Sequence, residues 1–270
     1  MTTPAPSPVE VHRGDSPIVL GLPHTGTHVP DAIAAQLNAR GRGLDDTDWH
    51  IHTLYDGLLA GATTVRATFH RYVIDANRDP SGVSLYPGQN TTGLVPLTDF
   101  DGHDIWQTPP DEAEIAARRA AFHAPYHAAL EAELDRVRAL HGVAILYDCH
   151  SIRSHIPFLF DGTLPDFNIG TNQGSACAPR IEQATQAICA NAPGYSSITN
   201  GRFKGGWTTR HYGRPASDIH AIQMELAQST YLTAEAPPWS YDAARADALR
   251  VHLRDILQTL EALVLTGEIT

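Results

Sequence analysis

"VAILYDCH", residues 143–150, is the stretch from which the rest of the chain can be read. Five apolar or aromatic residues run without interruption into Asp148, Cys149 and His150. A short continuous apolar run is the pattern of a strand buried on both faces, which a parallel sheet covered by helices provides. Side chains alternate along a strand, so Asp148 and His150 point to the same side. Ser151 and Arg153 follow at once. In open parallel sheets ligands bind beyond the carboxyl ends of the strands, and this strand ends in a carboxylate and an imidazole.

Other segments repeat the design. "PIVLGL" (17–22) is a second apolar strand and ends in Pro23 and His24. "TTVRATF" (63–69) and "RYVIDAN" (71–77) read as strands, the latter delivering Asn77 and Arg78. In "AIQMELAQ" (221–228), Ile222, Met224 and Leu226 share one face and leave Gln223 and Glu225 on the other. A glutamate in such a strand is costly unless it is paired or linked to a metal. Between these strands, 31–41, 47–61, 111–142, 178–192 and 242–267 carry helical periodicity, with Ile51, Leu54, Tyr55 and Leu58 on one face of the second. The long 111–142 segment is a helix pair or one helix kinked at Pro125, closed by Gly142. Residues 79–110, full of Gly, Pro, Thr and Asn, form a long loop of a kind that is usually functional. Alternating strands and helices imply an α/β fold: a mixed, mainly parallel central sheet sandwiched by helices. The expected organisation is a loose N-terminal arm over 1–15 and a single α/β domain over 16–270.

Composition limits the function. At 270 residues, 42% apolar and 18% charged, the chain is an ordinary globular one. A net charge of -11 argues against nucleic acid as a partner. No apolar run reaches membrane-spanning length, and no signal peptide is expected at the start. Three cysteines without metal-ligand spacing fit free thiols in a reducing cytoplasm, the expected location. Fifteen histidines, against nineteen Lys and Arg together, raise the weight of metal or acid–base chemistry. Signatures of serine hydrolases, helix-borne zinc proteases and nucleotide enzymes are absent. Two histidines and one carboxylate with an open position suit a catalytic zinc. His24 and His150 fit the histidine places, and Asp46 and Asp48 both remain open as the carboxylate.

"PHTGTHVP", "DDTDWHIHTLYD", "RYVIDANRDP", "LYPGQNTTGLVP", "PYHAAL", "DCHSIRSHIPFLFDGTLPDFNIGT", "FKGGWTTRHYG" and "HAIQMELAQSTYL" together resemble the N-formylglutamate amidohydrolase family, in order, from about Pro17 to Glu235. Two positions, His70 and Cys149, depart from the family's usual residues. The resemblance implies a zinc carboxypeptidase-like fold and hydrolysis of N-formyl-L-glutamate to formate and L-glutamate, a step of histidine degradation. It implies one zinc held by His24, Asp48 and His150, with Glu225 as general base. It favours Asp48 over Asp46.

A dianionic substrate needs cations, and Arg78, Arg153, Lys204 and Arg210 all lie in the matched segments. Arg78 and Arg210 are the expected principal clamps, with Arg153 and Lys204 as helpers. Gly205 and Gly206 are expected to let the loop approach a ligand. Two rival readings remain: a deacylase of another small acidic N-acyl amino acid, and a catalytically silent binder of an acidic amino acid.

Overall fold

The strand that opened the reading, β4 (Ala144–Ile152), lies at the centre of a seven-stranded sheet in the computed structural model, which describes residues 6–84 and 91–269. The strand order is β1-β3-β2-β4-β7-β5-β6. β2 (Ile18–Leu22), β3 (Thr63–Ala67), β4 and β7 (Ile219–Ala227) run parallel. β1 (Val9–His12) pairs antiparallel with β3 at one edge. At the other, β5 (Phe167–Gly170) pairs antiparallel with β7 and parallel with β6 (Ser197–Thr199). The sheet is therefore mixed and mainly parallel, as expected.

Helices cover both faces because the strands are apolar on both. On one face, Ile145, Tyr147 and Cys149 of β4 and Ile222, Met224 and Leu226 of β7 pack in one cluster. The same cluster takes in α2 (Ile51–Tyr55), α5 (Pro179–Ala190) and α7 (Ala243–Leu265). α7 buries Leu249, Leu253, Ile256, Leu260 and Leu263, a three-to-four-residue stripe, and starts at Asp242, whose carboxylate accepts from Ala244 and Arg245 N–H. On the other face, Ala144, Leu146, Ile219 and Ala221 meet Tyr126, Leu130 and Leu134 of α4 (Ala124–His141) and Tyr212 of α6 (Trp207–Tyr212). Further along that second face both strands change character: Asp148 and His150 continue β4, and Gln223 and Glu225 continue β7. Register sets Asp148 opposite Gln223 and His150 opposite Glu225. One sheet face thus serves as core in its first half and as polar surface in its second.

Several expected elements are corrected. The N-terminal arm is not loose throughout, since β1 within it extends the sheet. "RYVIDAN" is not a strand but a buried series of turns, with Val73 N–H donating to His70 and Arg78 N–H to Asp75. Its Tyr72, Val73, Ile74 and Ala76 are apolar because they pack in the α4-side core, not because they pair. α1 (Asp31–Ala34) and α2 are far shorter than their periodic stretches. Asn38 accepts from Gly41 N–H after the first, and the second starts only after His50, whose backbone is left-handed (φ 59°). The 111–142 segment is α3 (Glu112–Arg118), a π-helical turn over Arg119–His123, and α4, ended by left-handed Gly142 (φ 81°). Pro125 in a regular helix would clash with the carbonyl four residues back, and the wider turn falls at that place.

Candidate active site

Three strand ends and one buried turn converge at the polar half of the sheet. His24 lies two residues past β2, and His150 near the end of β4. Asp48 is in the turn before α2, tied by its N–H to the carbonyl of His24 at 3.1 Å. The His24 and His150 Nδ1 atoms are 3.2 Å apart, and Asp48 Oδ2 is 3.9 Å from the first and 3.4 Å from the second. All three residues are buried. Each ring is held from behind by a carboxylate: His24 Nε2 by Asp75 Oδ1 at 2.7 Å, His150 Nε2 by Asp148 Oδ2 at 3.1 Å.

That backing decides what the front can do. A neutral imidazole that gives its Nε2 hydrogen to a carboxylate presents a bare lone pair at Nδ1. With both rings in that neutral form, the two Nδ1 atoms and the carboxylate oxygen make a donor set that fits a divalent cation. Asp46 does not join it. Its Oδ2 accepts from the Tyr72 hydroxyl at 2.8 Å and Phe100 N–H at 3.0 Å, and burial raises its pKa to about 7. Neither acid caps α2, since His50 occupies that place. A second acidic group, Asp99, Asp101 and His103, sits on a loop where Arg40 already bonds Asp99.

The electrostatics follow from crowding charges in a dry place. Burial disfavours charge on His24, and Arg71 adds to that, so its pKa is lowered. Burial also opposes charge on His150, but Asp148, Asp48 and Glu225 outweigh it and hold the pKa well above the ordinary range. Burial pushes Asp48 up, but Arg71 and the two histidines bring it below the usual carboxylate value. Glu225 is raised to about 8 by burial, with Asp48 and Asp148 adding to it against His150 and Arg71. Its Oε2 accepts from Gln223 at 3.1 Å. Glu225 lines a cavity together with His24, His150 and Gln223.

A family model described as N-formylglutamate amidohydrolase matches residues 16–232. The chain belongs to the N-formylglutamate amidohydrolase family. It is 47% identical over 253 residues to an N-formylglutamate deformylase of Pseudomonas aeruginosa, covering 93% of this chain and 94% of that one. A Pseudomonas putida N-formylglutamate deformylase is 47% identical over 254 residues, with the same coverage. The crystal structure of an N-formylglutamate amidohydrolase from Ralstonia eutropha JMP134 has a TM-score of 0.81 at 23% identity, covering 97% of this chain and 99% of that one. A gene product of Agrobacterium tumefaciens has a TM-score of 0.71 at 19% identity, covering 95% and 97%. At those identities the two structures attest the fold alone.

Of the four expected cations, Arg78 and Lys204 line the cavity. Arg153 and Arg210 are not among its lining residues. Arg153 pairs with Asp101 at 3.1 Å, and Arg210, on α6, donates from Nε to the Gly205 carbonyl at 3.0 Å. Gly206, which lines the cavity, also makes room for Asn77: a Cβ there would come within 2.3 Å of the Asn77 side chain. Asn77 in turn lies 3.2 Å from His150 Nε2 and accepts from Thr208 N–H at 2.9 Å. Sequence reasoning missed Asp75 behind His24, and Arg71, which bonds Asp48 and stacks over Phe100 at 5.0 Å. The available signal was the one used for Glu225: Arg71 and Asp75 are charges inside an apolar run.

Proposed function

We propose that this chain hydrolyses N-formyl-L-glutamate to formate and L-glutamate with a divalent metal, zinc the expected one. The observation that carries the reading is the two histidine Nδ1 atoms gathered beside Asp48 Oδ2 at the wall of a cavity that also holds Glu225, Arg78 and Lys204. High identity to two deformylases over nearly their whole length supports the substrate.

His24, Asp48 and His150 would hold the metal, with Asp75 and Asp148 fixing the two rings. When bound, the metal supplies Lewis acidity, polarising the formyl carbonyl and acidifying water near it. Glu225 takes the proton from water as the oxygen attacks the formyl carbon, and returns it to the amine nitrogen as the C–N bond breaks. Its raised pKa suits both directions of transfer, and positive charge nearby draws that pKa back toward neutrality. Arg78 and Lys204 meet the substrate carboxylates. Lys204 is the chain's single lysine among nineteen Lys and Arg.

Two tests follow. Wild-type protein should release one formate per glutamate from N-formyl-L-glutamate, lose that activity to a chelator, and regain it with zinc. Full turnover by metal-free protein would sink the reading. Arg78→Met should raise KM by a factor corresponding to about 2–5 kcal/mol with metal content unchanged, and an unchanged KM would remove Arg78 from substrate recognition. Separately, Asp75→Asn should weaken metal affinity by about 10–100-fold, because His24 loses the carboxylate that fixes its tautomer. A competition titration with a zinc chelator of known affinity measures it, and equal affinities would show that Asp75 does not act on the metal.

A further inference from the structure

The Asn77 and Arg78 turn is gripped from outside the site by two histidines. His127 Nε2 lies 2.8 Å from the Ala76 carbonyl, and His123 Nε2 lies 3.0 Å from the Arg78 carbonyl. These two carbonyls bracket Asn77. Both rings are pushed toward the neutral form, by burial first, His127 to about 3. A neutral ring that donates from Nε2 has Nδ1 as an acceptor, and the Tyr212 hydroxyl stands 3.0 Å from His127 Nδ1. Trp207 packs against both rings, at 5.7 and 4.7 Å between centroids.

The π-helical turn makes this grip feasible. Arg118 and His123 are both buried, yet five positions apart they would lie about 140° out of phase on a regular helix. The wider turn lets both be buried, so that α3 anchors through Arg118 on Val73 and Gln36 while His123 and His127 reach the Asn77–Arg78 turn. π-helical turns inside α-helices frequently occur at functional sites.

We propose that His123 and His127 are positioning residues that set Arg78 and Asn77 for substrate, and that the π-helical turn exists to bring His123 to that task. The proposal rests on the substrate reading above for its kinetic part and on the grip alone for the rest. His123→Leu removes one tie without touching the cavity. It should raise KM for N-formyl-L-glutamate about tenfold, leave kcat within about threefold, and leave metal content full. His123→Gln, which can still donate from its amide nitrogen, should recover most of that loss. In an Arg78→Met background, His123→Leu should cost less than about twofold, because both changes disable one element. Amide hydrogen exchange at Asn77 and Arg78 should quicken in His123→Leu and return in His123→Gln. If the Leu variant does not fold, His123→Ala takes its place in each comparison.

Equal fold losses with and without Arg78, or a Gln variant no better than Leu, would overturn the kinetic part. Unchanged exchange at Asn77 and Arg78 would overturn the grip, whatever the substrate. Failure of the substrate reading has a different sign: wild-type protein that releases no formate, with the exchange pattern still as expected.

Discussion

Glu225→Gln is expected to keep the fold and the metal while losing about 10²–10⁴-fold or more of its turnover. The amide preserves shape at a buried place on the cavity wall and can still pair with Gln223, so the packing on β7 has no reason to change. It removes the only role assigned to this side chain, carrying a proton from water to the leaving amine. The loss should fall on kcat more than on KM, since no substrate charge is read here. Formate release measured alongside metal content separates the outcomes. Turnover near wild type with full metal would take the base away from Glu225 and direct attention to another group at the cavity wall.

The second large effect is on metal retention. His24→Ala and His150→Ala should each leave less than about a tenth of the metal bound after dialysis, because losing one of three protein donors opens the site. The histidines are cleaner targets than Asp48. Removing Asp48 would strand the buried Arg71 guanidinium, which typically costs about 3–5 kcal/mol of stability and confuses lost metal with lost fold. With either histidine removed, the carboxylate behind it keeps another donor, Asn77 N–H on Asp75 and the Thr209 hydroxyl on Asp148. A variant that kept one zinc per chain through dialysis would lose its place in the donor set.

How much of this was legible before the structure depended on which residues betray burial and which betray pairing. β2, β4 and β7 stood out because strands covered on both faces must be apolar without a break, and their polar ends marked the carboxyl edge of the sheet. Alternation alone placed Asp148 with His150 and Gln223 with Glu225. The same logic misled at "RYVIDAN", where the apolar residues are buried by tertiary packing in a turn that makes no ladder. β5 and β6, of four and three residues, are too short to leave a periodic trace. Arg210, expected as a clamp, is not among the cavity-lining residues, for a reason of topology. A segment can fold beside a cavity and still present other residues to it: here Lys204 and Gly206 line the cavity while Arg210 turns to the Gly205 carbonyl.

The divided face of β4 and β7 has a consequence for how this protein can change. Toward the start of the strands, larger or better-fitting apolar side chains are the usual route to a more stable fold. Toward their ends the same exchange would also tend to stabilise, because replacing buried, mutually dependent charges by apolar groups of similar volume is often neutral or favourable. A library selected for heat resistance alone would therefore drift inward along one surface without meeting any barrier, and its first casualties would be Asp148 and Glu225. Selection for turnover has to hold a boundary that the packing itself does not draw, between Leu146 and Asp148 on one strand and between Ala221 and Gln223 on the next.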